Sequence, residues 1–239
     1  SLILLSSRQP LVELQAWETE RYVTIDLQTL PVADGAEVLA ALGVQGTVTE
    51  LRQACQEMGG HALALVLLGK LLKEKFAGRI ERRDQLPPLW EERKQGGHAL
   101  RVLQFYTERY WQPETPELAM LQLLGLFDRP MTLWEKEVLV KEADCAKPLR
   151  ALTPARWKKL ERRLEAAGLL LHTEEAERYH WDCHPLIRDY FGQRFQDSQP
   201  ELFRQAHRVL FDYYQSVPAK HQPDTLEELE PLYRAVVHG

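Results

Sequence analysis

Few side chains in this sequence are of types that do chemistry, and those that stand out suit the holding of a phosphate better than the breaking of a bond. Arg8 follows the apolar run Leu2-Ile3-Leu4-Leu5 and a Ser6-Ser7 pair. Its guanidinium is a fixed charge with a fork of N–H donors, which matches phosphate oxygens. On position alone it is equally a surface arginine closing a strand. His184 opens the stretch His184-Pro185-Leu186-Ile187-Arg188-Asp189-Tyr190. An imidazole there can donate a hydrogen bond to a phosphate oxygen without a metal. It can also be a hydrogen-bonded histidine at a strand–helix junction. The pair Gly59-Gly60, just before His61 and Ala62, permits a close backbone approach to a ligand, and would equally serve to break two helices.

Other chemistries fit less well. His180, Cys183 and His184 invite a zinc reading, but no second ligand pair of a recognised pattern accompanies them, and Cys183 reads as a small buried apolar residue. No metal site is expected. No Gly-x-Ser-x-Gly turn supports a hydrolase built on Ser6 or Ser7. The sequence has no Gly-x-x-x-x-Gly-Lys-Ser/Thr loop and no acidic pair closing an apolar strand. No catalytic residue is therefore assigned, and the chain as given is not expected to hydrolyse nucleotide. Lys158, Lys159, Arg162 and Arg163 raise the alternative of DNA binding, because they lie on the solvent side of a helix that a DNA-reading winged helix would insert into the major groove. Glu161 and Glu165 interrupt them, which favours a solvated, ion-paired face. A non-catalytic interaction scaffold is a further alternative.

These residues must be positioned by elements that are mostly helical. Leu2 to Leu5 suit a strand buried on both faces, as in a parallel sheet, and Tyr22-Val23-Thr24-Ile25 is a second short strand. Beyond Pro31 the apolar spacing turns helical at Val38, Leu39 and Leu42, then at Val48, Leu51, Cys55 and Met58. Ala62 to Leu72 is nearly all apolar, the mark of a helix buried on most sides. Pro87-Pro88 and Gly96-Gly97 stand among many charges and read as short helices and a linker. A second block starts near Leu100. Thr115-Pro116 and Thr153-Pro154 read as caps with proline at the first helical position, and Thr132 to Glu135 has capping-box spacing. A hairpin follows, Leu169-Leu170-Leu171 to Tyr179-His180-Trp181 with Glu174-Glu175-Ala176 at its tip, which completes a winged-helix order. Leu202, Phe203, Ala206, Val209, Leu210 and Tyr213 form another stripe, and Thr225 with Glu228 opens a last helix.

The 239 residues allow two or three small domains, and 44% apolar with 27% charged residues suits a folded chain. A net charge of −5 argues against a nucleic-acid surface over the whole molecule. Three scattered cysteines fit a reducing, cytoplasmic setting, and no apolar run reaches the roughly 20 residues of a membrane-spanning helix. The chain opens on Ser1 within an apolar run and without an initiator methionine, so it reads as part of a longer protein.

Taken in order, Ser6-Ser7-Arg8, Gly59-Gly60-His61-Ala62-Leu63-Ala64-Leu65 and His184-Pro185-Leu186 resemble three motifs of the STAND class of signalling ATPases, of the NB-ARC and NACHT type. The resemblance implies a mainly α fold with four parts: residues 1–29 as the last strands of a parallel α/β nucleotide-binding sheet, 30–99 as a helical domain, 100–196 as a winged-helix domain and 197–239 as the start of TPR-like sensor repeats. It implies that Arg8 approaches the terminal phosphate of ATP, that Gly60, His61 and Ala62 cover the adenine, and that His184 feels the diphosphate of ADP. It departs from the family at Ala62, where a proline is usual, and at Pro185, where an aspartate often stands. The implied function is that of a regulatory arm, which closes over ADP and switches defence-type signalling by ADP/ATP exchange. The implied partners are an upstream P-loop domain, downstream repeats, and further copies of the parent protein on activation.

Overall fold

A computed structural model of the chain describes residues 3–5, 23, 29–87, 97–112, 114–175, 178–217 and 225–239. Arg8 lies outside these residues, as does all of the expected second strand except Val23. Among the described residues the fold is mainly α, with one small antiparallel sheet.

Of the parallel-sheet remnant expected over residues 1–29, only residues 3–5, 23 and 29 are described. Ile3, Leu4 and Leu5 belong to no strand and are 79%, 90% and 61% exposed, and Val23 is likewise exposed and irregular. A strand needs neighbours to take its backbone N–H and C=O groups, and no described strand lies beside them. Apolar side chains alone do not make a sheet.

Helix α1 (Val32–Ala41) ends at Gly43, whose φ of +86° suits only a residue without Cβ. In α2 (Val48–Glu57) the Thr47 hydroxyl accepts from the Glu50 amide while the Glu50 carboxylate accepts from the Thr47 amide at 2.7 Å. Helix α3 (Ala62–Phe76) buries Leu65, Leu67, Leu68, Leu71 and Leu72, as its composition foretells. A short 3-10 turn (Ile80–Gln85) follows, and then α4 (Gly97–Arg109) runs along α3.

Next come α5 (Pro116–Leu124), strand β1 (Met131–Thr132), α6 (Leu133–Glu142), a 3-10 turn (Asp144–Ala146) leading into α7 (Lys147–Arg150), and α8 (Pro154–Ala166). Thr115, Thr132 and Thr153 cap α5, α6 and α8 through their hydroxyls, and Thr132 with Glu135 completes a capping box. Strands β2 (Leu171–Glu175) and β3 (Arg178–Asp182) pair antiparallel from Leu171 opposite Asp182 to Glu175 opposite Arg178. Strand β1 adds to the far edge of β3, with Met131 opposite Trp181, so the order is β1-β3-β2.

Helices α9 (Pro185–Ser198), α10 (Pro200–Ser216) and α11 (Leu226–His238) complete the chain. One continuous core joins all these parts. Helix α9 meets α5 backbone to backbone. A Cβ on Gly125 would stand 2.5 Å from the Gly192 nitrogen, and one on Gly192 would stand 2.6 Å from the Gly125 oxygen. Only two glycines allow that approach. Beside it, Trp111 stacks on Tyr106 at 4.6 Å and touches Phe191 of α9.

Candidate functional site

Between α3, α4 and α9 lies an open cavity of about 970 Å³ that both His61 and His184 line. Each histidine owes its place to the same local device. His61 stands at the N-cap of α3, and its Nδ1 accepts a hydrogen bond from the Ala64 amide at 3.3 Å. His184 stands at the N-cap of α9, where its Nδ1 accepts from the Leu186 amide at 3.1 Å and Pro185 occupies the first helical position. Capping satisfies amides that the helix itself leaves unpaired. A nitrogen that accepts carries no proton, so the neutral ring has its proton on Nε2. Both histidines therefore have Nε2–H as their donor.

Leu100 of α4 and Leu186 of α9 form apolar wall, and α9 supplies the rest of the lining with Asp189, Tyr190, Gln193, Arg194 and Asp197. Gln193 donates to Asp197 at 2.9 Å. The Tyr190 hydroxyl lies 3.3 Å from that of Thr107, and burial pushes the Tyr190 phenol above its ordinary value despite that bond. The cavity thus offers donors in His61, His184 and Arg194, carboxylate acceptors in Asp189 and Asp197, and apolar surface between. That mixture suits a ligand with both polar groups and an apolar part. The spacing of residues 189, 193 and 197 already marks one helical face. Only the position of that face against α3 and α4 reveals what it lines.

Gly60 and Ala62 stand where the chain turns into α3. At Gly60, φ is +63°, and an added Cβ would stand 2.5 Å from the Leu30 oxygen, while Leu30 donates its amide to the Gly60 carbonyl at 2.9 Å. The close approach is made to the chain itself. Gly59 is likewise covered by His98. Ala62 is the first residue of α3, next to the capping histidine.

The basic face of α8 borders a separate groove. Lys158, Lys159, Arg162 and Arg163 share it with Glu74 of α3. Arg163 pairs with the buried Glu117, and Lys70 of α3 donates to the Glu165 carbonyl at 3.0 Å. The last turn of α8 is therefore held against α3, and one of the four cations is already paired. Cys183 is buried, and burial pushes its thiol up to about 12.

Two polar pairings in the interior escaped sequence reasoning in whole or in part. Glu135, 2% exposed, is bonded by Arg129, the Thr132 amide and Tyr214. His207 and His238 face one another across α10 and α11. The Thr132 contact is the capping box that local spacing shows, whereas the Arg129 and Tyr214 contacts and the histidine pairing leave no trace in it.

The chain matches no family model, and no curated protein matches it significantly.

Proposed function

We propose that the chain is the regulatory arm of a STAND-type nucleotide switch, and that the cavity between α3 and α9 is its share of an ADP site. The observation that carries this reading is the meeting of His61 and His184. They belong to two motifs far apart in sequence, and both line one cavity with Nε2 as donor. In this reading residues 30–99 are the helical domain and residues 100–196 the winged helix, with α5, α6 and α8 as its helices and β2–β3 as its wing. Helices α10 and α11 begin the sensor repeats. His184 donates to the diphosphate while the arm is closed. Binding of a ligand to the downstream repeats withdraws α9 with His184, ADP leaves, and ATP entry favours oligomerisation. Such a switch is a two-state equilibrium biased by contacts that differ between the nucleotides. The phosphate cradle comes from an upstream P-loop domain of the same protein, which works in the cytoplasm.

The test is titration of a fluorescent ADP analogue into the complete gene product and its His184→Asn variant. Asparagine keeps a helix cap and removes the imidazole donor. A hydrogen bond to a charged phosphate contributes about 1.5–3 kcal/mol, so Kd is expected to rise roughly ten- to hundredfold. Equal affinity in both proteins would remove His184 from the site, and no affinity in either would remove the nucleotide.

A further inference from the structure

Helix α11 is joined to α10 by an unusual contact, a pair of imidazoles meeting nitrogen to nitrogen. His207 Nδ1 and His238 Nδ1 lie 2.9 Å apart. At that distance one nitrogen must donate and the other accept, so the pair holds one proton between two rings. The contact is sheltered. His238 is 5% exposed, Tyr214 stacks nearly parallel on it at 5.8 Å, Phe127 meets it edge-on at 5.7 Å, and Phe203 covers His207 at 4.5 Å.

We propose that His207 and His238 form a one-proton latch that docks α11 on α10 and releases it on acidification. A proton added to the accepting nitrogen turns it into a donor and makes that ring a cation in this apolar setting, and protonation of both rings would set two cations face to face. The surrounding charges do not relieve that. Arg204 and Arg208 of α10 border the same groove, Arg204 being paired with Glu201. Arg234 of α11 stands near, held by Glu230 at 3.0 Å and by Asp128 of the loop after α5 at 3.6 Å. Arg129 from that loop opposes a further positive charge. Glu135 of α6 favours one, but its oxygens are committed to Arg129, Thr132 and Tyr214. Burial, with His207 and the two arginines, pushes His238 down to about 4, and burial lowers His207 as well. Docking is therefore at full strength above about pH 6.5 and weakens as pH falls from there toward 4, because the released histidines take up protons that the docked pair refuses. The latch is independent of the nucleotide reading.

Hydrogen exchange of the α11 amides tests it, with EDTA present and α3 as the internal reference. Between pH 7.5 and 5.0, after correction for intrinsic rates, α11 protection is expected to fall about thirtyfold relative to α3. Protection that tracks α3 over this range would overturn the latch. In the double variant His207→Leu with His238→Phe, apolar rings replace the pair and the pH dependence should vanish. An undiminished fall there would also overturn it. His207→Gln alone keeps a neutral partner for His238 and should lessen the fall, which settles the matter if the double variant fails to dock.

Discussion

His61 and His184 line the same cavity and are fixed in the same way, each giving its Nδ1 to an amide in the first turn of the helix it caps. One nitrogen of each ring is thus bound to a backbone amide, and the imidazole can be exchanged for a side chain that keeps only that bond.

His184→Ala removes both ring and bond, and loss of the cap is expected to destabilise the fold by about 1 kcal/mol. His184→Asn should recover most of that stability. Urea denaturation of both variants checks this, and equal losses would show that the Leu186 bond contributes nothing.

Gly60→Ala tests the close approach that holds the start of α3. Its Cβ would press on the Leu30 oxygen at a positive φ. A loss of roughly 1–3 kcal/mol is expected, since the left-handed backbone and the clash add. Thermal melting reads it, and an unchanged midpoint would mean that Leu30 yields without cost.

Gly192→Ala acts on the other wall. The added methyl would push α9 away from Gly125 of α5, costing about 1–3 kcal/mol as other overpacked contacts do. Because α9 carries His184, Tyr190 and Arg194, the nucleotide titration should weaken together with stability. Lost stability with unaltered binding would place the ligand elsewhere.

Glu135→Gln addresses the buried network below α10. Burial alone would raise the Glu135 carboxyl, but bonds from Arg129, the Thr132 amide and Tyr214 outweigh it and hold the group below the usual range. A carboxyl depressed in this way contributes stability above its unfolded pKa near 4.5 and loses it as pH falls through the folded value. The variant leaves the Arg129 charge without its partner, so about 3 kcal/mol is expected to be lost at pH 7. The gap between variant and parent should narrow at pH 3. A gap independent of pH would show that Glu135 acts by shape alone.

The sequence by itself determined what depends on residues a few places apart. Threonines 115, 132, 153 and 225 cap the helices they were expected to cap, because a hydroxyl reaches an amide only three residues on. The apolar run from Ala62 became a buried helix, since an all-apolar surface must be covered on most sides. Leu2 to Leu5 show the limit of such reading: an apolar run states a preference for burial but names no partner, and residues 3–5 lie exposed beside no described strand. Strand β1 was illegible, being two residues defined by the edge of β3. The tertiary structure alone decided that His61 and His184 share a cavity, and that His207 meets His238. Those distances are set by how helices pack, through contacts such as Gly125 on Gly192, and packing couples side chains that covalent sequence keeps far apart.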